Sequence, residues 1–135
     1  MTDAANEQIV RRFLAAIREN NLEELLQIFD PDLVWVVPQG AIPPFAGTHR
    51  GAENIAKMML GVGGTLLPGS MTYRTLLTMS DDRHVMTEVN LRAKARDGRD
   101  YDNYYVFVFE CPNGRITELR EHVDTTYAAT FFGAA

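Results

Sequence analysis

Apolar residues recur at three- and four-residue intervals through Ile9, Val10, Phe13, Leu14 and Ile17, the spacing of one helix face, and Asn20-Asn21 ends the run. Thr2 or Asp3 is the candidate cap. Leu22, Leu25, Leu26 and Phe29 predict a short second helix. Leu33 to Val37 (LVWVV) is β-branched and aromatic and stops at Pro38, as a strand does. RGAENIAKMML, with Ile55, Met58 and Met59 on one face, predicts a third helix ended by the glycines that follow. From Met71 the period falls to two, and MTYRTLLTM, HVMTEVNLRAKAR, DYDNYYVFVFEC and RITELREHVD predict four strands. TTYAATFF reads as a short terminal helix capped by Asp124 or Thr125. Helices first and an antiparallel meander afterwards is an α+β order, in one domain over residues 1–135. A strongly curved sheet wrapped around the helices leaves a hollow.

Successive strand side chains point to opposite faces, so Glu88, Asn90 and Arg92 share one side and Val85, Val89, Leu91 and Ala93 the other. A polar row that rich fits a cavity wall; the alternative puts the apolar face on a core and the polar row in solvent. A two-residue Asp97-Gly98 loop sets Arg96 opposite Arg99, which brings Arg92 to Asn103, Asn90 to Tyr105 and Glu88 to Phe107. Val89 and Leu91 then share the reverse face with Tyr104, Val106 and Val108, a patch large enough to be covered by a second copy of the chain. A three-residue Pro112-Asn113-Gly114 loop, with Pro at its favoured turn position, pairs Cys111 with Arg115 and puts Leu119, Glu121 and Val123 on the polar face. The two-residue alternative puts Arg120, His122 and Asp124 there instead.

Composition narrows the function classes. Eighteen acids against thirteen bases give a net charge of −5, and no basic stripe appears, so nucleic acid is set aside as a partner. No apolar run approaches a membrane span and no signal peptide is visible, so a cytoplasmic protein is the expectation. The single cysteine, Cys111, has no basic neighbour to activate it. His49, His84 and His122 sit on separate elements without ligand spacing, so neither a metal site nor a cofactor is expected. Gly and Pro cluster between Pro38 and Gly51 and between Gly61 and Gly69, the candidate rims of a pocket.

The order of elements, the LLQIFDPDLVWVVP entry, the FAGTHRG lead into a helix and YYVFVFECPNGRITELREHVDT resemble the nuclear transport factor two-like superfamily, most of all its SnoaL-like polyketide cyclase and ketosteroid isomerase-like branch. The resemblance implies a cystatin-like half-barrel, a mostly antiparallel sheet around N-terminal helices enclosing a conical pocket. Limonene epoxide hydrolases of this superfamily carry Arg-Asp-Tyr-Phe-Asp on the final strand, matching Arg120-Glu121-His122-Val123-Asp124 and placing their catalytic aspartate on Glu121. Their other catalytic arginine and aspartate fall on Glu88 and Asn90, and their water-holding pair on Trp35 and Val37. That water-activating set is dismantled here. The ketosteroid isomerase base falls on Val37 and its first-helix tyrosine on Phe13, neither able to exchange a proton. The SnoaL-like pattern, an acidic residue on the last strand, survives in Glu121.

The expected activity is therefore a cofactor-independent isomerase, cyclase or lyase acting on a small, largely apolar carbonyl compound. Glu121 moves the proton, and Asn90, Asn103 or Tyr105 holds the oxygen. Trp35, Val37, Phe13 and Val123 supply apolar wall, with Glu88 and Arg92 as polar neighbours. The alternative is a noncatalytic ligand-binding or dimerisation module.

Overall fold

A computed structural model of the chain describes residues 3–133. Helix α1 (Asp3–Arg18) buries Ile9, Val10, Phe13 and Leu14, its apolar stripe, against the sheet. Thr2, one of the two cap candidates, lies outside the described residues. Asn20, at φ 55°, turns the chain, and Asn21 caps α2 (Leu22–Ile28) by accepting the Glu24 N–H at 3.1 Å. β1 (Phe29–Val37), β2 (Gly47–Arg50) and α3 (Ala52–Gly63) follow, then β3 (Thr72–Ser80), β4 (His84–Lys94), β5 (Asp100–Glu110), β6 (Ile116–Val123) and α4 (Thr125–Gly133). Asp124 caps α4, its carboxylate accepting the Tyr127 N–H at 3.0 Å.

The six strands form one curved, unclosed sheet in the order β2-β1-β6-β5-β4-β3, antiparallel except where β1 meets β6. This is the expected α+β architecture, with α1 and α3 against the concave face. Phe13 sits at its centre, with ring centroids 5.3 Å from Phe109 and 6.0 Å from both Phe29 and Phe107.

The β4–β5 register differs from the sequence expectation by one residue, and every side chain of β4 changes face with it. Asn90 pairs with Tyr104 and Leu91 with Asn103. The loop has three residues, Arg96-Asp97-Gly98. Gly98, at φ 94°, donates to the Ala95 carbonyl at 3.0 Å, and the Ala95 N–H donates to Arg99 at 2.8 Å. A turn of this kind needs one left-handed residue, which Gly98 supplies; the two-residue turn would force Asp97 into that region as well. Val85, Thr87, Val89, Leu91 and Ala93 therefore face inward and are buried. Glu88, Asn90 and Arg92 lie on the convex face with Tyr104, Val106 and Val108.

The β5–β6 hairpin is also displaced, by two residues, which preserves the face. Phe107 pairs with Glu121 and Tyr105 with Val123, because β5 leaves the ladder after Glu110 and the Cys111 N–H is spent on the Arg83 carbonyl at 2.7 Å. Leu119, Glu121 and Val123 are concave; Arg120 and His122 are convex.

Candidate functional site

Between the concave face, α3, α4 and the segment joining β1 to β2 lies a cavity of about 160 Å³. Phe13 and Ile17 of α1 and Met59 of α3 form one side; Leu91, Phe107 and Val123 form the sheet side. Ala41, Ile42 and Phe45 of the first Gly/Pro-rich loop and Val62 and Leu66 near the second close two edges, and Ala128, Ala129 and Phe132 of α4 close a third. Gly40 lets the first loop reach α4: a Cβ there would stand 2.7 Å from Thr125 Oγ1.

Polar groups are few. Among the described residues Glu121 is the one carboxyl in the wall, with Trp35 beyond it on β1, Tyr105 diagonally across on β5, and Tyr73 on β3. Desolvation lifts the Glu121 carboxyl from 4.5 to about 7, and the nearby Trp35 indole partly opposes the rise. Trp35 itself is buried, its N–H without a partner of ordinary hydrogen-bond geometry, and its ring lies 5.3 Å from His49, the residue opposite it on β2. His49 is thus a strand residue, held by a 2.6 Å contact between Nε2 and the Phe45 carbonyl. Burial pushes the Tyr105 phenol well above its usual value, so it stays protonated.

The structure brings together Phe13, Trp35, Val37, Tyr105, Glu121 and Val123 of the residues singled out in the sequence. It separates four others. Glu88 is half-buried on the convex face. Arg92, expected beside Glu88, faces Asp102 at 3.5 Å on that exposed side. Asn90 is buried but turned outward, donating to Asp102 Oδ1 at 2.6 Å and to the Asn103 carbonyl at 3.2 Å, which leaves it no part in the cavity. Asn103 is concave but lies behind the lining, bound to Tyr101 and Asp124. The one-residue register change removes the first three. Cys111 is buried, its thiol pushed up to about 11. Among the described residues no group of three His, Cys, Asp or Glu side chains is placed to hold a metal ion.

Tyr73 and α4 were not foreseen as parts of this region, and Tyr101, read from the sequence as a rim residue, lies instead beneath α4. Their signal was the alternation itself: with β4 in its observed register, Tyr73 falls inward opposite Leu91.

Residues 10–119 match the SnoaL-like domain. The chain belongs to this family. An uncharacterised protein of Mycobacterium tuberculosis is 34% identical over 99% of this SnoaL-like chain and 100% of its own. Bal32a, from a soil-derived mobile gene cassette, is 31% identical with a TM-score of 0.79, covering 96% of this chain and 97% of that one. TerC, crystallised together with polyporic acid, has a TM-score of 0.81 at 20% identity, over 96% and 99% of the two chains, a likeness of fold. The SnoaL-like match ends two residues before Glu121, so the significance of that carboxyl rests on its surroundings in this chain. No helix among the described residues is long and apolar enough to cross a membrane.

Proposed function

We propose that this SnoaL-like protein is an isomerase, cyclase or lyase that needs no cofactor and moves a proton on a small, largely apolar carbonyl compound, with Glu121 as the acid/base. One observation carries this reading: among the described residues a single carboxyl, lifted to about 7, stands in a wall otherwise built mostly from apolar and aromatic side chains. A base works best with a pKa near the working pH, and removal of a proton beside a carbonyl requires only such a base and a donor for the oxygen. Above pH 7 the ionised Glu121 accepts the α-proton; the resulting acid returns it at a second carbon or to water. Trp35, Phe13, Val37 and Val123 enclose the substrate.

Proton exchange at the α-carbons of 2-tetralone in D2O, followed by NMR, tests it. The wild-type protein should accelerate exchange, with a rate that rises through about pH 7, and Glu121→Gln should lower the rate by about two to four orders of magnitude. A panel of cyclic ketones that bind but do not exchange would instead favour a ligand-binding module. That second reading draws on Phe13 and Val37, which leave the cavity without a further proton-exchanging group at either position.

The protein is further proposed to act as a homodimer through the convex face. Leu77, Met79, Met86 and Tyr104 are exposed there, and Val106 and Val108 lie between them. Val89 and Leu91, assigned to that patch from the sequence, belong to the concave side.

A further inference from the structure

Asn103, Tyr101 and Tyr105 form a hydrogen-bonded chain in which the direction of every proton can be deduced. The Tyr104 N–H can only donate, so Asn103 Oδ1 must face it, at 2.9 Å; the Asp124 carbonyl can only accept, so Asn103 Nδ2 must face it, at 3.3 Å. That orientation makes Nδ2 the donor to Tyr101 Oη, 3.0 Å away. Tyr101 is 1% exposed, packed under Phe131 and Phe132, and the one acceptor its hydroxyl meets among the described residues is Tyr105 Oη at 2.6 Å. The reverse order, with Tyr105 donating, would strand the Tyr101 proton in a buried site. The proton left without an acceptor among the described residues is that of Tyr105, in the cavity wall.

We propose that Tyr105 is the hydrogen-bond donor that holds the ligand's carbonyl oxygen, and that Tyr101 and Asn103 are positioning residues which orient and polarise it. Chains of aligned hydrogen bonds strengthen their terminal donor, and a donor fixed in advance costs no reorganisation when charge develops on the oxygen. The proposal rests on the proton-transfer reading of Glu121 and adds the substrate's shape. The carbonyl oxygen meets Tyr105 on β5 while the acidic C–H meets Glu121 on β6, so a ketone with an α-proton on a compact ring fits. The space is about that known to admit a benzene-sized ring, and it is half open, which leaves room for a second fused ring toward the mouth. In the step itself the α-proton passes to the Glu121 carboxylate, the C–H electron pair forms the enolate C=C bond, and the carbonyl π pair moves to the oxygen. Tyr105 donates a hydrogen bond to that oxygen without giving up its proton.

The test uses 2-tetralone labelled with carbon-13 at the carbonyl. Bound to the wild-type protein, its resonance should move downfield, as a hydrogen-bonded carbonyl does. Tyr105→Phe should abolish the downfield move and slow α-proton exchange on the order of 100-fold, the usual effect of losing one such donor. Tyr101→Phe, which keeps the Tyr105 hydroxyl but unties it, should give an intermediate shift; it carries the test if Tyr105→Phe fails to fold. Glu121→Gln should lose exchange yet keep the downfield move. A wild-type resonance unmoved on binding, or one equally displaced in the tyrosine variants, overturns the role of Tyr105 while leaving that of Glu121 standing. Loss of the shift in Tyr105→Phe with exchange unaffected by Glu121→Gln keeps Tyr105 as a binding donor and overturns the acid/base reading. Absence of any saturable binding overturns both.

Discussion

The two faces of the sheet carry carboxylates in opposite ways. On the convex side Asp102 lies 3.5 Å from Arg92, Glu110 is 3.0 Å from Arg83, and Glu118 bonds Arg120; these are partly solvated pairs in which each charge has a nearby opposite and water. On the concave side Glu121 has aromatic rings and a buried indole. Identical chemistry therefore yields solvated ion pairs on one face and a group titrating near neutrality on the other. What separates them is enclosure rather than sequence.

The largest effect that would break this comparison is a charge placed on the wrong side of β4. Val89 is 0% exposed and Glu88, its neighbour, is half-buried on the convex face. Val89→Glu should cost on the order of 3–5 kcal/mol in urea denaturation, the usual penalty of an unpaired buried charge, whereas Glu88→Val should stay within about 0.5 kcal/mol. Equal costs would mean that β4 faces the other way.

A smaller effect follows from Glu121. Its folded pKa of about 7 exceeds the unpaired value of 4.5, so between those values the folded chain binds more protons than the unfolded one, and stability falls as pH rises. The total loss is on the order of 3 kcal/mol, complete above pH 7. Glu121→Gln should abolish this slope, and the variant should gain on the wild-type protein steadily from pH 4.5 to pH 7 in thermal melts. A variant that keeps the slope would place the titrating group elsewhere.

The smallest effect on the fold should come from the convex side. Val106→Lys should leave the melting temperature almost unchanged while weakening association, seen by light scattering at micromolar concentration. A wild-type monomer under those conditions would remove the dimer proposal.

Much of the fold was legible because helical spacing in Ile9 to Ile17, the Pro38 stop and the period-two strands are local signals. The face of β4 was not. Asp97-Gly98 is compatible with loops of two or three residues, and the choice shows only in the left-handed Gly98 and the Ala95–Arg99 pairing. The same uncertainty at Asn113-Gly114 did less damage, since the observed shift of two residues leaves Glu121 on the concave face. Polar Glu88, Asn90 and Arg92 drew the sequence reading inward, yet Asn90 is buried on the convex side by its bonds to Asp102 and Asn103, a satisfied group that pattern alone cannot tell from a site residue. Tyr101 likewise gave no hint that α4 would cover it.

The contact between Gly40 and Thr125 bears on time rather than affinity. The first loop and α4 meet there along a seam, and a ligand entering past it must part the two segments. A methyl group at position 40 would wedge them apart, so Gly40→Ala should speed ligand entry and departure together and shorten the residence time with little change in the dissociation constant. Enclosure of Glu121 is thereby tied to how long a guest remains inside.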